Sequence, residues 1–594
     1  MRRGPAVAML LVLLQCSPCI SQEATKAEAE PDLSVFDLPA KFARINAHMQ
    51  QVRAAMATNK LDVAERAANE AVETMEGVPE TLVQLAAVQA NRGRLDEAFN
   101  NLEKAVDAGL NKASVFSQPV FTKLATMDGW AELQKRSSTA APDPTRIWLR
   151  KAKAIESDTR NIGMITEANT MWVPAGNVLL SFLTVPEKNA EKPISQQKGP
   201  VGDQLRQWGE EGTAAGNHGD LYDNHDRGHS NIRGSNFPQL TRLKYSKAAK
   251  ARNLDNGAQV NMLFSGVVVG NSSTSITSRS VWRSQPRLIA SANLTANQAF
   301  NQYANNHIYF YPEHRDYDVG HNGKGGGYGD VYFANLPFLI VSQGSSYTDK
   351  PFIGAVLSTL AAFRPDVKKK LVKTKHLMPT VHMIFRRCNR GIATDEAYLS
   401  GAAHPPVFDS KKLDALKMVR MAHSMEVDHL PPMCRLRVMK ESKPVGTQQS
   451  ERIFNTPGAI SRIHRTTDET RTMIVDAGNS KDANREPLKY VWNVLQGDPD
   501  KIQIKKLTDD GRQVQITVAW HARRPIARGS QMETNRVDIG CFVTNGTWYS
   551  PPAIVSTYFP DNEVRQYRSG KLTSRRFNSN YADPILVGKP KAAK

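Results

Sequence analysis

The sequence predicts a multidomain α+β protein, with a helical N-terminal domain, a mixed α/β centre and a C-terminal β domain. A chain of 594 residues is too long for one hydrophobic core. Apolar residues recur at helical spacing from Leu33 to Ser138, strand and helix patterns alternate after Ile147, and short alternating strands follow Thr456. Because 40% of the residues are apolar, each region can bury a core of its own.

The N-terminus has the pattern of a secretory leader. Arg2 and Arg3 precede the apolar run Val7 to Leu14, which is too short to span a bilayer. We therefore expect export to the periplasm or the extracellular space, and no transmembrane segment. The predicted parts are a signal peptide (1–21), a linker (22–32), a helical domain (33–138), a linker (139–146), a central α/β domain (147–450), a β domain (451–564) and a basic flexible tail (565–594).

The net charge indicates partners of opposite sign. A charge of +19 and a pI near 9.6 favour an anionic polysaccharide or another acidic polymer. The alternative is a generally basic exported protein. We expect no nucleic acid partner, because no basic stripe is paired with stacking aromatic residues in a recognised fold.

Cysteine usage predicts one disulfide. Of five cysteines, Cys388, Cys434 and Cys541 lie beyond the leader. An oxidising compartment would pair two of them and leave one thiol. We expect the pair to be Cys388 and Cys434, because both lie in the predicted central domain.

Small residues in the helical domain have the spacing that two close-packed helices require. The region from about 60 to 135 resembles a tetratricopeptide repeat, followed by the terminal variant found in bacterial proteins. This resemblance implies a groove for a protein partner; a helical cap without a ligand is the alternative. The residues that carry it are Leu85-Ala86, Gly93 to Ala98, Leu102, Ala105, Ala108-Gly109 and Asp128 to Trp130.

The central domain predicts a parallel sheet built from βαβ units. Ligands bind such sheets at the carboxyl ends of the strands. The segments are a strand at Val260 to Val269, a Gly/Ser loop at 270–274, a strand at Phe338 to Val341, a second Gly/Ser loop at 342–346, a helix at Pro351 to Val372, a strand at Thr380 to Arg386 and a helix at Ser410 to Met425.

The two Gly/Ser loops are candidate anion sites. Backbone N–H groups and hydroxyls at a helix N-terminus bind phosphate, sulfate or carboxylate. We therefore predict Ser272, Ser345 and Ser346 as substrate-binding residues. Helix capping is the alternative for these serines, and a serine hydrolase is a weaker one.

Two glycine-rich segments contain most of the candidate catalytic and metal-binding side chains: Gly216 to Ser230 and Tyr309 to Lys324. Imidazole and carboxylate groups are both metal ligands and general acids or bases. The predicted catalytic residues are Tyr222, His225, Arg227 and His229. The predicted ligands of a divalent metal (zinc, manganese or calcium) are His218, Asp223, Asp226, His314 and His321. Ordering of the loop backbone is the alternative role for all of them.

These assignments predict an exported hydrolase or lyase that acts on an anionic polysaccharide. A metal-bound water would attack an ester, glycosidic or phosphate bond. Without a metal, His229 or Tyr222 would abstract a proton beside a uronic carboxylate, which Arg227 or Arg315 would neutralise. The alternative is a non-catalytic binding protein of the envelope or the extracellular space.

The C-terminal domain contains a set of turn and strand residues typical of a known module. They are Asp476-Ala477, Ser480 to Asn484, Pro487-Leu488, Tyr490, Trp492 and Gly497-Asp498. On these residues the domain resembles the PKD-like and related immunoglobulin-like modules of secreted environmental bacterial proteins. The resemblance implies a β-sandwich that serves as a spacer or contacts carbohydrate. The central domain resembles an uncharacterised bacterial family.

Overall fold

A computed structural model describes residues 33–142, 146–272, 292–312, 333–344, 346–442, 451–525, 533–560 and 563–577. These residues form thirteen α-helices and several β-sheets, so the predicted mixed α/β composition is confirmed. Within the same residues, no helix combines the length and the hydropathy that a bilayer crossing requires.

The N-terminal region is helical, as predicted. Helices α1 and α2 pack together, as do α3 and α4. Buried alanines on α2, Ala64, Ala67, Ala68 and Ala71, let the helices approach closely. Its tetratricopeptide identity stays a prediction. The helices are α1 (Leu38–Ala57), α2 (Leu61–Thr74), α3 (Pro79–Asn91), α4 (Leu95–Asp107) and α5 (Trp130–Thr139).

A turn after α4 contacts the linker that leads to the central region. Gly109 has φ 94°, and a Cβ there would lie 2.4 Å from the Cα of Pro142. Any larger residue would therefore be strained by its backbone conformation and would also push the linker away. Gly93, in the turn between α3 and α4, has φ 79° but open space around it.

The central region is built on a six-stranded sheet in which every neighbouring pair is parallel. Its strands, with those of two small sheets beside it, are β1 (Ile155–Glu156), β2 (Ile162–Ile165), β3 (Thr170–Val173), β4 (Val178–Ser181), β5 (Leu183–Thr184), β6 (Asp220–His225), β7 (Thr241–Tyr245), β8 (Met262–Phe264), β9 (Val267–Ser272), β10 (His307–Pro312) and β11 (Ile340–Ser342). The helices of the region are α6 (Pro200–Glu210), α7 (Lys247–Ala251), α8 (Asn293–Ala304), α9 (Lys350–Ala362), α10 (Pro365–Thr374), α11 (Leu377–Arg387), α12 (Asp395–Tyr398) and α13 (Ala415–His423).

The strand order places a topological switch point between β6 and β9. The order across the sheet is β11-β10-β9-β6-β7-β2. The chain leaves β6 toward β7 on one side, returns to β9 on the other side and then continues outward through β10 and β11. In open parallel sheets, the crevice at such a reversal is where ligands bind, outside the carboxyl ends of the strands.

Three predicted elements differ in the structure. Thr380 to Arg386 was predicted as a strand, which is wrong, because these residues lie in α11. That helix is buried from Leu377 to Arg386, and an apolar run of this kind cannot be told from a buried strand by periodicity. The predicted helix from 351 to 372 is two helices, because Pro365 starts α10 and holds Arg364 in an extended conformation. The predicted strand at 260–269 is likewise two strands, β8 and β9.

The C-terminal region consists mainly of two sheets, with orders β12-β15-β18-β17 and β13-β14-β22-β21-β16. Val475 and Ile516 of one sheet share a buried cluster with Ile539 and Val555 of the other. The immunoglobulin-like identity stays a prediction. The strands are β12 (Arg437–Glu441), β13 (Arg452–Asn455), β14 (Ala459–Ile463), β15 (Thr470–Asp476), β16 (Lys489–Gln496), β17 (Ile502–Lys506), β18 (Gln513–Ala519), β19 (Arg524–Pro525), β20 (Glu533–Thr534), β21 (Val537–Thr544), β22 (Ala553–Tyr558), β23 (Glu563–Arg568) and β24 (Lys571–Phe577).

Strands β21 and β22, on either side of Asn545-Gly546, pair with each other and belong to the same sheet as β16. Residues 563–577 form a hairpin of β23 and β24 in a segment predicted as part of a flexible tail. Apolar residues such as Val564 and Leu572 are few in this segment, so the sequence shows no alternating pattern that would predict strands.

The predicted pairing of Cys388 with Cys434 is wrong. Cys388 is buried in the core of the central region, where its Sγ lies 3.8 Å from the Sδ of Met421. Cys434 is buried with Cys541 in the core between the two C-terminal sheets. All three cysteines are free thiols in this structure. Position along the chain suggested a shared domain for Cys388 and Cys434, but the chain has already entered the β region at Cys434.

We expect Gly109→Ala to destabilise the protein more than Gly93→Ala does. Both changes place a side chain at positive φ, which costs about 1–2 kcal/mol. Only the change at position 109 adds a clash with Pro142, which costs a further ~1–3 kcal/mol. Urea unfolding followed by circular dichroism measures the difference. Equal losses in the two variants would show that the linker does not depend on this contact.

Candidate functional site

A buried carboxylate lies at the centre of the switch point. Asp223 of β6 accepts hydrogen bonds from the hydroxyls of Tyr245, at 2.8 Å, and Tyr309, at 2.7 Å. The Nε2 atom of His225 lies 2.8 Å from Oδ2, the same carboxylate oxygen that Tyr309 contacts. Burial by itself would raise the pKa of Asp223, but the charge and hydrogen bond of His225 and the two hydroxyls lower it overall. Asp223 is therefore held ionised inside the sheet.

The local sequence explains how these groups meet. Alternate residues of a strand face the same side, so Asp223 and His225 share one face of β6. Tyr309 reaches Asp223 from β10 by crossing β9 at Gly270. A Cβ at Gly270 would lie 2.2 Å from the Tyr309 ring and 2.9 Å from the Asp223 carbonyl oxygen. Glycine at position 270 is what lets a tyrosine two strands away reach the carboxylate.

A second chain of polar groups lies on the opposite face of the same strands. The Tyr222 hydroxyl donates to Asn271 at 2.9 Å, and the Asn271 amide donates to Asp349 at 3.2 Å. Asp349 directly precedes α9 and is fully buried. Burial raises the pKa of Asp349 to about 6. The pKa values of two carboxyl groups at one edge of the sheet are thus shifted in opposite directions: that of Asp223 is lowered and that of Asp349 is raised.

Two buried polar atoms at this edge have no hydrogen-bond partner among the described residues. They are Nδ1 of His225 and Oγ of Ser272. His225 and Ser272 are directly paired across β6 and β9, so their side chains share a face. A further polar group at this edge could satisfy both atoms.

The surface above these residues is cationic and aromatic. The Tyr347 side chain is 55% exposed, and its ring stacks with that of His229 at 6.1 Å between centroids. Nζ of Lys350 lies 5.4 Å from the centre of the Tyr347 ring. The Arg227 guanidinium is also exposed and donates to Asn253 at 2.6 Å. Ligands that reach this edge would first meet these four side chains.

Backbone strain is concentrated in the same place. Arg227, Ser230 and Tyr347 have φ of 46°, 50° and 77°, although none of them is glycine. The Tyr347 amide donates to Oγ of Ser230 at 2.8 Å, which ties the two strained segments together. Left-handed conformations in non-glycine residues cost of order 1–3 kcal/mol each and are common at functional sites.

The structure brings several predicted site residues together and separates one. The residues gathered at the carboxyl edge of β6 and β9 are Tyr222, Asp223, His225, Asp226, Arg227, His229 and Ser272. His218 precedes the amino end of β6, where its Nε2 lies 3.1 Å from the Pro186 carbonyl. A six-residue strand is about 20 Å long, so His218 cannot share a metal ion with Asp226.

Four other predicted site residues lie outside the described residues: His314, Arg315, His321 and Ser345. Ser346 is half-buried in the loop after β11. In the part of the chain that is described, no group of three or more His, Cys, Asp or Glu side chains could hold a metal ion. The predicted divalent metal stays a prediction.

The geometry bears on the predicted role of Tyr222 and on the order of the polar loop. Burial raises the pKa of Tyr222 well above its ordinary value, so this phenol is a poor base near neutral pH. Asn224, between Asp223 and His225, donates to the His229 carbonyl at 3.0 Å and accepts from the Asp226 amide at 2.7 Å. Part of the polar segment therefore orders its own loop, as the alternative interpretation held.

Sequence reasoning gave no role to several groups that complete the site, namely Tyr245, Gly270, Asn271, Tyr309 and Asp349. Gly270 and Asn271 lie in the first predicted Gly/Ser loop, and Tyr309 begins the second polar segment, but none of them was predicted as a site residue. Asp349 left a signal, because an acidic residue stands between a Gly/Ser loop and the Lys350-Pro351 start of a helix. Tyr245 left none, since a tyrosine in a buried strand ordinarily indicates core packing.

Comparison with known proteins adds little to this geometry. No family model matches the chain, and no curated protein matches it. A solved structure described as a nucleoside hydrolase-related hypothetical protein from Saccharophagus degradans, associated with carbohydrate metabolism, is 9% identical, covers 58% of this chain and 100% of its own, and has a TM-score of 0.17. A TM-score this low does not indicate a shared fold.

The raised pKa of Asp349 predicts a pH-dependent stability. The pKa of Asp349 has an ordinary value of 3.8 and a value of about 6 in the folded protein. The contribution of this group to stability is therefore greatest below about pH 4. The free energy of unfolding then falls as Asp349 ionises between pH 4 and 6, by on the order of 3 kcal/mol. Asp349→Asn should remove this fall. Urea unfolding at several pH values measures it, with exposed Asp366→Asn as the control that keeps the fall.

We expect Gly270→Ala to destabilise the protein by about 1–3 kcal/mol, because the new methyl group displaces the buried Tyr309 ring. Gly354→Ala is the matched control. It lies in α9 with no atom within 4 Å of the new Cβ and should be neutral or stabilising. Thermal unfolding compares the two. A Gly270→Ala protein as stable as the parent would contradict the close approach of Tyr309.

Proposed function

We propose that this protein is a hydrolase or lyase that acts on an anionic polysaccharide at the carboxyl edge of its parallel sheet. One observation carries the proposal. Asp223 and Asp349 lie at the same edge, and their surroundings displace their pKa values in opposite directions. Pairs of carboxyl groups separated in this way supply an acid and a base at one pH.

Asp349 is suited to proton transfer. With a pKa near 6 it is mostly ionised at neutral pH, yet it accepts and returns a proton readily. The Asn271 amide donates to the Asp349 carboxylate, which also interacts with the Ser230 hydroxyl and with its own backbone amide. These contacts orient the carboxyl group for proton exchange with a substrate or a water molecule.

Asp223 and His225 form a second unit. The ionised carboxylate of Asp223 contacts Nε2 of His225 at 2.8 Å, which fixes the ring. Nδ1 has no partner in the described chain, and the residue paired with His225 across β6 and β9 is Ser272. In this proposal, Asp223 positions the ring, and His225 exchanges a proton with the substrate.

The substrate class follows from the charge and the exposed side chains. Arg227 and Lys350 attract carboxylate or sulfate groups, and a sugar ring can stack on Tyr347. The net charge of +19 would concentrate a polyanion around the protein. Export to the periplasm or the extracellular space, where such polymers occur, is part of the same proposal.

The two reactions use the same residues differently. In hydrolysis, His225 would protonate the leaving oxygen while Asp349 activates water. In a lyase reaction, Asp349 or exposed His229 would abstract the proton beside a uronic carboxylate, and Arg227 would neutralise that carboxylate. A divalent metal bound near Asp223 and Asp226 would assist hydrolysis by lowering the pKa of a bound water.

One observation favours a second candidate, a non-catalytic binding protein. The exposed groups at this edge are aromatic or cationic, whereas Asp223, His225 and Asp349 are all fully buried. Such a surface would hold an acidic sugar without transforming it. Partner binding through the helical region belongs to the same candidate.

The test incubates the full chain with polygalacturonate, alginate and hyaluronate. New reducing ends indicate hydrolysis, and ultraviolet-absorbing unsaturated ends indicate a lyase. We expect Asp349→Asn to lower kcat by ~10²–10⁴-fold and to remove the limb of the pH profile near pH 6. Tyr347→Ala should raise KM about tenfold with a smaller change in kcat, because a lost stacking contact weakens binding.

Asp366→Asn is the control, because Asp366 is an exposed carboxylate on α10, away from the site. Full activity in Asp349→Asn would rule out its role in proton transfer. Binding of these polymers without cleavage would reject the enzyme and leave the second candidate. If the protein neither binds nor cleaves these polymers, an anionic polysaccharide is rejected as the partner.

A further inference from the structure

Two cysteines meet in the core of the C-terminal region. Cys434 is 4% exposed and Cys541 is fully buried, and both belong to the cluster between the two sheets. The Cys541 thiol interacts with that of Cys434, and Tyr490 of β16 lies close to both. Two neighbouring thiols, rather than a lone cysteine, therefore share this core.

The backbone on each side holds the two thiols in place. Met433 and Lys481 exchange two backbone hydrogen bonds, at 2.7 and 2.9 Å, and the Arg435 amide donates to Oγ of Ser480 at 3.1 Å. Cys434 is thus anchored by the residues before and after it. Cys541 lies within β21, which is paired on both sides, with β16 and β22. Neither cysteine can move away from the other without breaking these bonds.

We propose that Cys434 and Cys541 form a disulfide that joins the start of the C-terminal region to an interior strand of its five-stranded sheet. A small-molecule disulfide, such as oxidised glutathione, or the disulfide of an oxidoreductase is the oxidant. The inference concerns the β region alone and does not depend on the reaction at the parallel sheet.

The bond forms by two thiol–disulfide exchanges. The Cys434 thiolate attacks one sulfur of the oxidant, forming a mixed disulfide and releasing one thiol. The Cys541 thiolate then attacks the Cys434 sulfur and releases the second thiol. The two protons lost by the cysteines appear on the two released thiols, and the oxidant takes up both electrons. Burial raises the pKa of Cys541 well above its ordinary value, so exchange is slow once the core has closed and belongs to folding.

Cys388 is the natural internal control. It is 1% exposed, its neighbour is Met421, and burial raises its pKa to about 12. No cysteine contacts it in the described part of the chain. It therefore stays a thiol under conditions in which Cys434 and Cys541 become linked.

The test refolds the full chain in a glutathione redox buffer, unfolds it in denaturant so that buried thiols react, alkylates the remaining thiols and maps the peptides by mass spectrometry. We expect a peptide pair that contains Cys434 and Cys541, with Cys388 alkylated. The peptides that contain Cys16 and Cys19 are scored separately. Cys388→Ala should keep the pair, and Cys434→Ser should leave Cys541 alkylated. Alkylation of both Cys434 and Cys541 in the parent protein, or a pair that contains Cys388, would overturn the proposal.

A stability measurement separates a formed bond from mere contact. Reduction of the oxidised protein should lower the Tm of the β region by at least about 5 °C. The reason is that a disulfide that closes a long loop lowers the conformational entropy of the unfolded chain, and reduction restores that entropy. The Cys434→Ala/Cys541→Ala double variant should show no such response to the reductant. An equal response in the double variant would assign the effect to something other than this bond.

Discussion

The central constraint on this structure is a carboxylate buried in the middle of a parallel sheet. Removing an ionised group from water costs several kcal/mol unless charged or polar partners replace the solvent. Asp223 has three such partners on three strands: His225 beside it on β6, Tyr245 on β7 and Tyr309 on β10. The register of four neighbouring strands is thereby tied to one side chain, because a slip of β7 or β10 would remove one hydroxyl from the carboxylate, and a slip of β9 would move Gly270 away from the Tyr309 ring.

The same constraint explains the distribution of polar groups at the carboxyl edge. Groups that need a fixed geometry, such as Asp349 and Asn271, lie in the interior, where surrounding strands and the start of α9 hold them. Groups that would meet a polymer first, such as Arg227 and Tyr347, lie on strained loops at the surface. The proposed function rests on this arrangement, in which buried polar groups of fixed geometry lie near exposed cationic and aromatic side chains.

The sequence predicted where the chemistry lies better than how it is assembled. Histidine, aspartate and glycine crowded between 216 and 230 marked the end of β6 because such a segment has too little apolar surface for a core. The same reasoning placed His218 with Asp226, although a strand lies between them. It also passed over Tyr309, whose role depends on the missing side chain of Gly270 one strand away. Contacts of this kind depend on register, which local patterns do not encode.

By itself, the sequence determined the mixed α/β class, the helical beginning, the β-rich end and the position of the polar loops. These follow from hydrophobic periodicity and glycine placement, which act over a few residues. Only the tertiary structure decided that Thr380 to Arg386 is a buried helix, that Cys434 neighbours Cys541 rather than Cys388, and that Asp349 joins the site. Each of those outcomes depends on residues far apart in the chain, and packing of whole elements is what brings them together.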